Sequence, residues 1–396
     1  MVAQGRHALI FGASGISGWS LMKQCLSYPS HSTFAHITGL CNRPADKHSL
    51  LLPDDPRLSI VSGIDLTGPH ETVVSELKKR VPGVEEVDTV FFCAYIQTND
   101  HASLRKVNTA LLETAVQAIT TASKKVSTII LQTGGKGYGL EFPNDLTIET
   151  PLHEELPRIP EPYRSKIFYY DQYDLLDKLS HKPGCSWTFS EIRPDGIVGF
   201  APGSNVMNMA HGIAFYLAMY REVFGGGTKV AFPGSKRGYY STHSDTFQDI
   251  LSKMEIFAAM NRDRCGNGSV FNVADGDTVT WAGVWPGICE YFGLVGVEPA
   301  EAKEKKEKEE EESMEGFVQG HMKEWQRLVE KHGLKDGVVE KQNWGHTRFM
   351  LVDFDFDREY SLEKARGVGF KESIDTVQGY KIVFDRMVEA QLIPKI

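Results

Sequence analysis

The chain contains no apolar run of the roughly 18 residues that a bilayer-crossing helix needs, so nothing in it reads as a membrane span. Its first residues, Met1 to His7, enter a strand-like segment without a signal-type stretch, and a cytoplasmic protein is expected. Cysteine is sparse and scattered. The six thiols, Cys25, Cys41, Cys93, Cys185, Cys265 and Cys289, include no C-x-x-C pair, and several sit inside apolar runs. That distribution supports neither zinc nor a disulfide framework, and no metal is expected. Basic charge is short as well: 43 Lys and Arg against 52 Asp and Glu leave a net charge of −9 with no basic stripe, which argues against nucleic acid as a partner. No internal repeat is evident. What remains is an ordinary globular composition, 41% hydrophobic and 24% charged over 396 residues, long enough for one large domain or two sharing a boundary.

Against these absences stands Ala8 to Gly18, an apolar run that ends in three glycines spaced G-x-x-G-x-x-G. The segment after it, Trp19 to Leu26, reads as a helix. In a dinucleotide-binding strand–helix unit, Gly12 allows the tight turn, Gly15 lets backbone N–H groups approach a pyrophosphate, and Gly18 lets the helix pack on the strand. Ser14 and Ile16 belong to the same loop. The glycines alone are a weak signal; the strand before and the helix after carry the reading. A second strand, His36 to Cys41, ends at Asn42-Arg43-Pro44. An acidic residue there would accept from the ribose 2′-OH of NAD, whereas a basic one pairs with the 2′-phosphate of NADP. Arg43 therefore points to NADPH/NADP, with a solvated turn arginine as the plain alternative.

The third strand, Leu58 to Ile64, ends at Asp65-Leu66, placed to flank an adenine ring, and Glu71 to Val81 makes the next helix. Thr89 to Ile96 is a continuous apolar strand of the kind a parallel sheet buries on both faces. His101 to Lys124 is a long helix carrying Asn108, and Ser127 to Leu131 is the fifth strand. This alternation is the signature of an α/β fold, a Rossmann doubly wound parallel sheet with right-handed crossovers. The fifth strand runs into Gln132-Thr133-Gly134-Gly135-Lys136-Gly137-Tyr138, whose polar groups emerge at the carboxyl edge where ligands of open α/β sheets bind.

Ser165 to Leu179 opens a helix containing Tyr169 and Tyr170, and a sixth strand, Trp187 to Ile192, leads into Arg193-Pro194. Beyond Pro202 mostly helical segments (Met207 to Phe224, Asp245 to Met260, Thr280 to Phe292) are interrupted by two strand-like pieces, Lys229 to Phe232 and Ser269 to Val273. The expected organisation is an NADP-binding Rossmann domain over residues 1–201, with return segments near 240–275. Residues 202–396 then form mainly a smaller, mainly helical substrate-binding lobe. That lobe includes a charged insertion at about 299–314, in which the run 301–312 reads as a solvated helix or surface insertion. Amphipathic helical patterns at His321 to His332 and Ile374 to Leu392 close the chain.

The short-chain dehydrogenase/reductase superfamily places its reactive tyrosine in a Y-x-x-x-K helix turn, and this chain lacks that lysine. Tyr169 is followed four positions on by Tyr173, and Tyr170 by Asp174. The residues instead resemble the progesterone 5β-reductase/iridoid synthase-like (PRISE) branch, in which the lysine lies in the loop after the fifth strand. Leu131 to Tyr138 matches that family's L-Q-T-G-x-K-H-Y, and Phe168 to Asp174 lies on its N-F-Y-Y-x-x-E-D. Arg193-Pro194 with Ile197, Gly199 and Phe200 matches R-P-x-x-I-x-G-F, while Phe232-Pro233-Gly234 and Phe271-Asn272-Val273 recur in the expected order. Three positions depart: Ile167 replaces an asparagine, Tyr173 a glutamate and Gly137 a histidine.

The resemblance implies the extended short-chain dehydrogenase fold and NADPH-dependent reduction of a C=C bond conjugated to a carbonyl in a small apolar metabolite. On the matched motifs, Tyr169 would face the carbonyl oxygen, and Lys136 would favour the phenolate and hold the ribose. Tyr170 stays open as the alternative, since adjacent helix positions diverge by roughly 100° and only one can point into the cleft. Thr133, Pro194 and Ile197 would approach the cofactor, and Phe200 and Met207 the substrate. Carbonyl reduction, isomerisation or cyclisation of a specialised metabolite, and a non-catalytic NADP-sensing module remain as alternatives; retention of Lys136 and Tyr169 speaks against the last. The expected partner is a small-molecule substrate, with neither nucleic acid nor a membrane, and a homodimer is compatible with the reading.

Overall fold

A computed structural model describes residues 5–203, 206–300 and 313–396, so the charged run at 301–312 lies outside the described residues. The chain divides into two compact units. The first comprises Met1–Asp195, Gln248–Ala274 and Tyr360–Glu372; the second comprises Gly196–Phe247, Asp275–Glu359 and Ser373–Ile396.

The first unit is built on strands β1 (Arg6–Phe11), β2 (Phe34–Cys41), β3 (Leu58–Ser62), β4 (Thr89–Phe92), β5 (Thr128–Gln132) and β6 (Thr188–Pro194). With Ser269–Val273 they make a seven-stranded sheet in the order β3-β2-β1-β4-β5-β6-Ser269–Val273, every pair parallel. Helices α1 (Ile16–Gln24), α2 (His70–Arg80), α3 (His101–Ala122) and α4 (Phe168–Ser180) make the crossovers. On one face Leu9, Phe11, Val90, Phe92, Ile129 and Leu131, all at period-two positions, pack under Leu111, Leu112, Ala115, Val116 and Ile119 of α3. Each such side chain contributes about 1.5–3 kcal/mol on leaving water, which is why these strands are apolar throughout. Strand order reverses between β1 and β4, opening a crevice at their carboxyl ends.

Several boundaries differ from the sequence expectation for identifiable reasons. Strand β4 stops at Phe92 instead of Ile96, because the buried Asn108 amide of α3 takes both main-chain groups of Ile96. Asn108 Oδ1 accepts from the Ile96 N–H and Nδ2 donates to its carbonyl, each at 2.9 Å, which draws the segment out of the ladder. The helix expected from Ser165 starts at Phe168, after a single tight turn at Arg164–Lys166. Helix α1 starts at Ile16, immediately after Gly15, and so takes in Gly18 ahead of the expected start at Trp19. A return segment that the sequence reading passed over, Tyr360–Glu372, joins this unit through a Leu152–Tyr360 bridge and a Ser361 N–H donated to Leu152 O at 2.9 Å.

In the second unit the main helices are Met209–Phe224, Trp281–Tyr291, Met322–His332 and Thr376–Glu389. The helix expected from Asp245 begins only at Gln248, in the first unit. Asp245–Phe247 is a strand beside Gly196–Val198, held there because Asp275 accepts the Phe247 N–H at 2.5 Å and donates its own N–H to Asp245 O at 2.9 Å. Among the described residues no helix is long and apolar enough to cross a membrane.

Candidate active site

The glycine loop is shaped by what its three positions exclude. Gly12 closes β1 at φ +88°, where a side chain would also strike the Cys93 main chain at 2.8 Å. The N–H groups of Gly12 and Ala13 both donate to Leu40 O at 3.0 Å, tying the loop to β2. Gly18, in the first turn of α1, leaves no space for a Cβ, which would stand 2.7 Å from Ala13 Cα. Gly15 is different. It is extended (φ −82°, ψ 172°), and a Cβ on it would meet only Gly12 O, at 3.3 Å. The Gly15 N-cap offers no side chain to α1 and no acidic residue occupies the first turn, so among the described residues its leading N–H groups have no side-chain cap. Uncapped donors at the positive end of a helix dipole, behind an open glycine rim, fit the pyrophosphate of a dinucleotide. Ser14, Gly15 and Ile16 form that rim.

Asn42 and Arg43 follow β2 and are both exposed. Arg43 has no hydrogen bond or ion pair among the described residues. Asp65, after β3, is turned back on its own loop, accepting from Thr67 N at 2.9 Å and Thr67 Oγ1 at 2.7 Å. Those bonds hold its carboxyl below the usual range. Leu66 beside it is half-buried.

The two adjacent tyrosines of α4 have different occupations. A Cβ placed on Gly134 would stand 3.7 Å from Tyr169 Oη, so that glycine forms the floor under this phenol. Tyr169 is half-buried, and among the described residues its hydroxyl has no hydrogen-bond partner. Burial pushes the phenol well above its ordinary value, and Tyr95, Glu141 and Glu191 act in the same direction. Tyr170 is spent on structure: its hydroxyl donates to Gly137 O at 2.6 Å and accepts the Ile159 N–H at 3.2 Å. The Arg158 guanidinium covers its ring at 4.8 Å. Lys136, in the turn Gly135–Tyr138, places its ammonium 2.8 Å from Glu141 Oε1, and the two side chains are 25% and 21% exposed.

Beneath this floor runs a polar network that the sequence reading missed. Glu191 of β6, its side chain 2% exposed, accepts from Thr133 Oγ1 at 2.6 Å and from Arg193 Nε at 2.9 Å and Nη2 at 3.0 Å. Arg193 Nη1 donates to Tyr138 Oη at 3.3 Å, and Tyr138 Oη donates to Asn272 Oδ1 at 2.7 Å. Burial opposes the Arg193 charge, but Glu191 and Tyr138 outweigh it and hold the guanidinium ionised. Thr133, expected at the cofactor, thus spends its hydroxyl on Glu191. Pro194 O accepts from Tyr360 Oη at 3.3 Å. The available signal was an acid and a base two apart in an otherwise buried strand, hence on one face of it.

Of the three departures from the motif pattern, Tyr173 donates to Gly268 O at 2.8 Å and meets Phe189 edge-to-face, the ring centroids 5.3 Å apart. Ile167 is buried ahead of α4, and Gly137 supplies the carbonyl that Tyr170 uses. Ile197, Phe200 and Met207 belong to the second unit. There Phe200 is only 1% exposed, its ring 5.8 Å from that of His211, a core position for a residue expected beside substrate. A cavity of about 390 Å³ in that unit is lined by Pro202, His211, Phe215, Gln342 and Leu392 among others. Among the described residues no His, Cys, Asp and Glu cluster is placed to hold a metal ion.

A model of the PRISE-like Rossmann-fold domain matches residues 8–394. A short chain dehydrogenase of Aspergillus calidoustus, ausT, is 36% identical over 98% of this chain and 94% of that protein. Another, sirQ of Leptosphaeria maculans, is 33% identical over 98% and 97%. The (S)-8-oxocitronellyl enol synthase ISY1 of Nepeta cataria is 26% identical over 95% and 92%. Among solved structures, the GDP-mannoheptose C4 reductase of Campylobacter jejuni with NADP bound superposes with a TM-score of 0.60 at 12% identity, over 97% of this chain and 99% of that one. A UDP-N-acetylglucosamine 4-epimerase of Methanobrevibacter ruminantium gives 0.61 at 15%, over 98% and 99%. At those identities the likeness is one of fold.

Proposed function

The chain belongs to the PRISE-like Rossmann-fold family, and from that premise we propose that it is an NADPH-dependent reductase of a carbonyl-conjugated C=C bond in a small apolar metabolite. The observation that carries the reading is the Tyr169 phenol, standing over Gly134 without a hydrogen-bond partner among the described residues while its neighbour Tyr170 is fully engaged. The glycine rim of Gly12, Gly15 and Gly18 would hold the pyrophosphate at the start of α1, and the exposed Arg43, without a partner among the described residues, would take the 2′-phosphate. Bound there, the dinucleotide supplies a hydride.

The protein's part follows from where charge develops. A hydride added to the β-carbon sends the π electrons toward the carbonyl oxygen, which becomes an enolate. A donor aimed at that oxygen lowers the barrier more than one that grips the ground state, and Tyr169 Oη is a donor left without a partner among the described residues. A proton then completes the saturated carbonyl compound, so one hydride and one proton are consumed. An enol is also what the name of the Nepeta relative specifies as its product. Because the site works on the conjugated oxygen, a panel of enones and the matching saturated ketones should divide cleanly, with NADPH consumed only for the enones. Turnover of the saturated ketones alone would make the enzyme a carbonyl reductase instead.

A further inference from the structure

Tyr360, the first residue of the return segment Tyr360–Glu372, is held from two sides within the first unit. On the backbone side the Ser361 N–H donates to Leu152 O at 2.9 Å. The fully buried Asn272 amide spans the same pair, its Nδ2 donating to Leu152 O at 2.9 Å and to Ser361 O at 3.2 Å. On the ring side, Asn272 Oδ1 accepts from Tyr138 Oη at 2.7 Å, and the Tyr138 ring meets the Tyr360 ring edge-to-face with centroids 5.6 Å apart. Backbone and ring are both fixed, and so is the direction of the Tyr360 hydroxyl.

That hydroxyl reaches the floor under Tyr169. It donates to Pro194 O at 3.3 Å, and a Cβ on Gly135 would stand only 2.5 Å from it. Tyr360 Oη thus occupies the room that Gly135 leaves by having no side chain. The same Cβ would also meet Leu140 Cδ1 at 2.7 Å, but that is the end of a side chain that can turn aside. One residue back, a Cβ on Gly134 would stand 3.3 Å from Pro194 O and 3.7 Å from Tyr169 Oη. The Pro194 carbonyl is therefore shared: Tyr360 holds it from one side, and the Gly134 floor borders it on the other. Two consecutive glycines have the most backbone freedom of any pair, and a floor made of them keeps its shape only if neighbours fix it. Resting on the reductase reading, we propose that Tyr360 is a positioning residue: its hydroxyl fills the place of the missing Gly135 side chain, fastens the Pro194 carbonyl, and so keeps the Gly134–Gly135 floor where Tyr169 Oη can meet the substrate oxygen. It acts through the floor and not on the reacting atoms.

The test compares Tyr360→Phe, Gly135→Ala and the two combined, in the full chain. Tyr360→Phe keeps the ring against Tyr138 and loses only the hydroxyl. Its kcat with an enone should fall by about 10–100-fold, the effect of a misplacement of about 1 Å, while the KM for NADPH changes by less than about twofold. The ¹³Cζ resonance of Tyr169, assigned by its loss in Tyr169→Phe, should move in the same variant with no cofactor added. Gly135→Ala drives a methyl against the hydroxyl and should lower Tm by about 2–12 °C. In the double variant the methyl takes the room that the hydroxyl gave up, so it should melt above Gly135→Ala alone. A tyrosine that served stability alone would lower Tm and leave the other two readouts in place. An unmoved Tyr169 resonance in Tyr360→Phe, an unchanged kcat, or a double variant that melts as low as the two single losses combined overturns the proposal. If the parent reduces no enone, the reductase reading fails on its own, while the resonance and the melting comparison still report whether Tyr360 sets the floor.

Discussion

Removing the Tyr170 hydroxyl takes away one oxygen atom and strands two buried backbone groups, the Gly137 carbonyl and the Ile159 N–H, which it joins at 2.6 and 3.2 Å. Each stranded group costs about 1–3 kcal/mol, so Tyr170→Phe should destabilise the first unit by about 2–6 kcal/mol in total. In a domain of about 150–250 residues that is a fall in Tm of about 4–24 °C. The Arg158 guanidinium keeps its place over the ring in the variant, so packing is conserved and the loss belongs to the hydroxyl. Tyr169→Phe removes a hydroxyl that has no partner among the described residues and should shift stability by no more than about 0.5 kcal/mol. Its effect falls on turnover, lowered by about 10²–10³ if the phenol stabilises the enolate. Differential scanning calorimetry and the loss of reduced-nicotinamide absorbance with an enone measure the two quantities on the same preparations. The reasoning is refuted if Tyr170→Phe melts with the parent while Tyr169→Phe melts early and turns over normally.

Two further outcomes follow from charges at opposite degrees of burial. Arg43→Ala removes an exposed guanidinium that supports no other described group, so it should weaken NADPH by about 10–150-fold, the worth of a charge-assisted bond of about 1.5–3 kcal/mol, and leave NADH nearly unchanged. Calorimetric titration with both cofactors decides it, and equal losses would end the NADPH assignment. Arg193→Leu leaves the Glu191 carboxylate buried with Thr133 as its remaining described donor, and should cost about 3–5 kcal/mol in urea unfolding. The Glu191→Leu/Arg193→Leu pair should recover most of that, and a double variant as unstable as the single would contradict a charge-based cause.

The features legible in the sequence are those whose physical cause is local. Gly12 and Gly18 can be read because a missing Cβ is the requirement itself, and the structure supplies the atoms that a Cβ would strike, in Cys93 and Ala13. The buried strands can be read because both faces of a parallel sheet must be apolar. Where a distant group decides, the reading stops short. The end of β4 is set by an amide twelve residues beyond Ile96, at Asn108, and Asp245–Phe247 turns from helix to strand because Asp275, far along the chain, accepts the Phe247 N–H. Tyr360–Glu372 carries no pattern of its own; it belongs to the first unit because its backbone finds Leu152.

The site divides along the same line. Helical geometry places Tyr169 and Tyr170 on different faces of α4, but the phase of the helix is fixed by where it begins, and that depends on the tight turn at Arg164–Lys166 that delays the first helical residue to Phe168. With the start at Phe168, Tyr170 meets the Gly137 carbonyl and Tyr169 is left over Gly134. Gly137 is one of the departures from the family pattern, and it still provides what Tyr170 needs, because a carbonyl is independent of the side chain. Tyr173, another departure, is harmless for the opposite reason: its phenol reaches Gly268 and never borders the floor. The partner of Lys136, by contrast, lies outside the motif, at Glu141. A motif lists residues by their spacing along the chain, whereas the ion pair of Lys136 is made with the acid that the following turn brings within 2.8 Å of its ammonium.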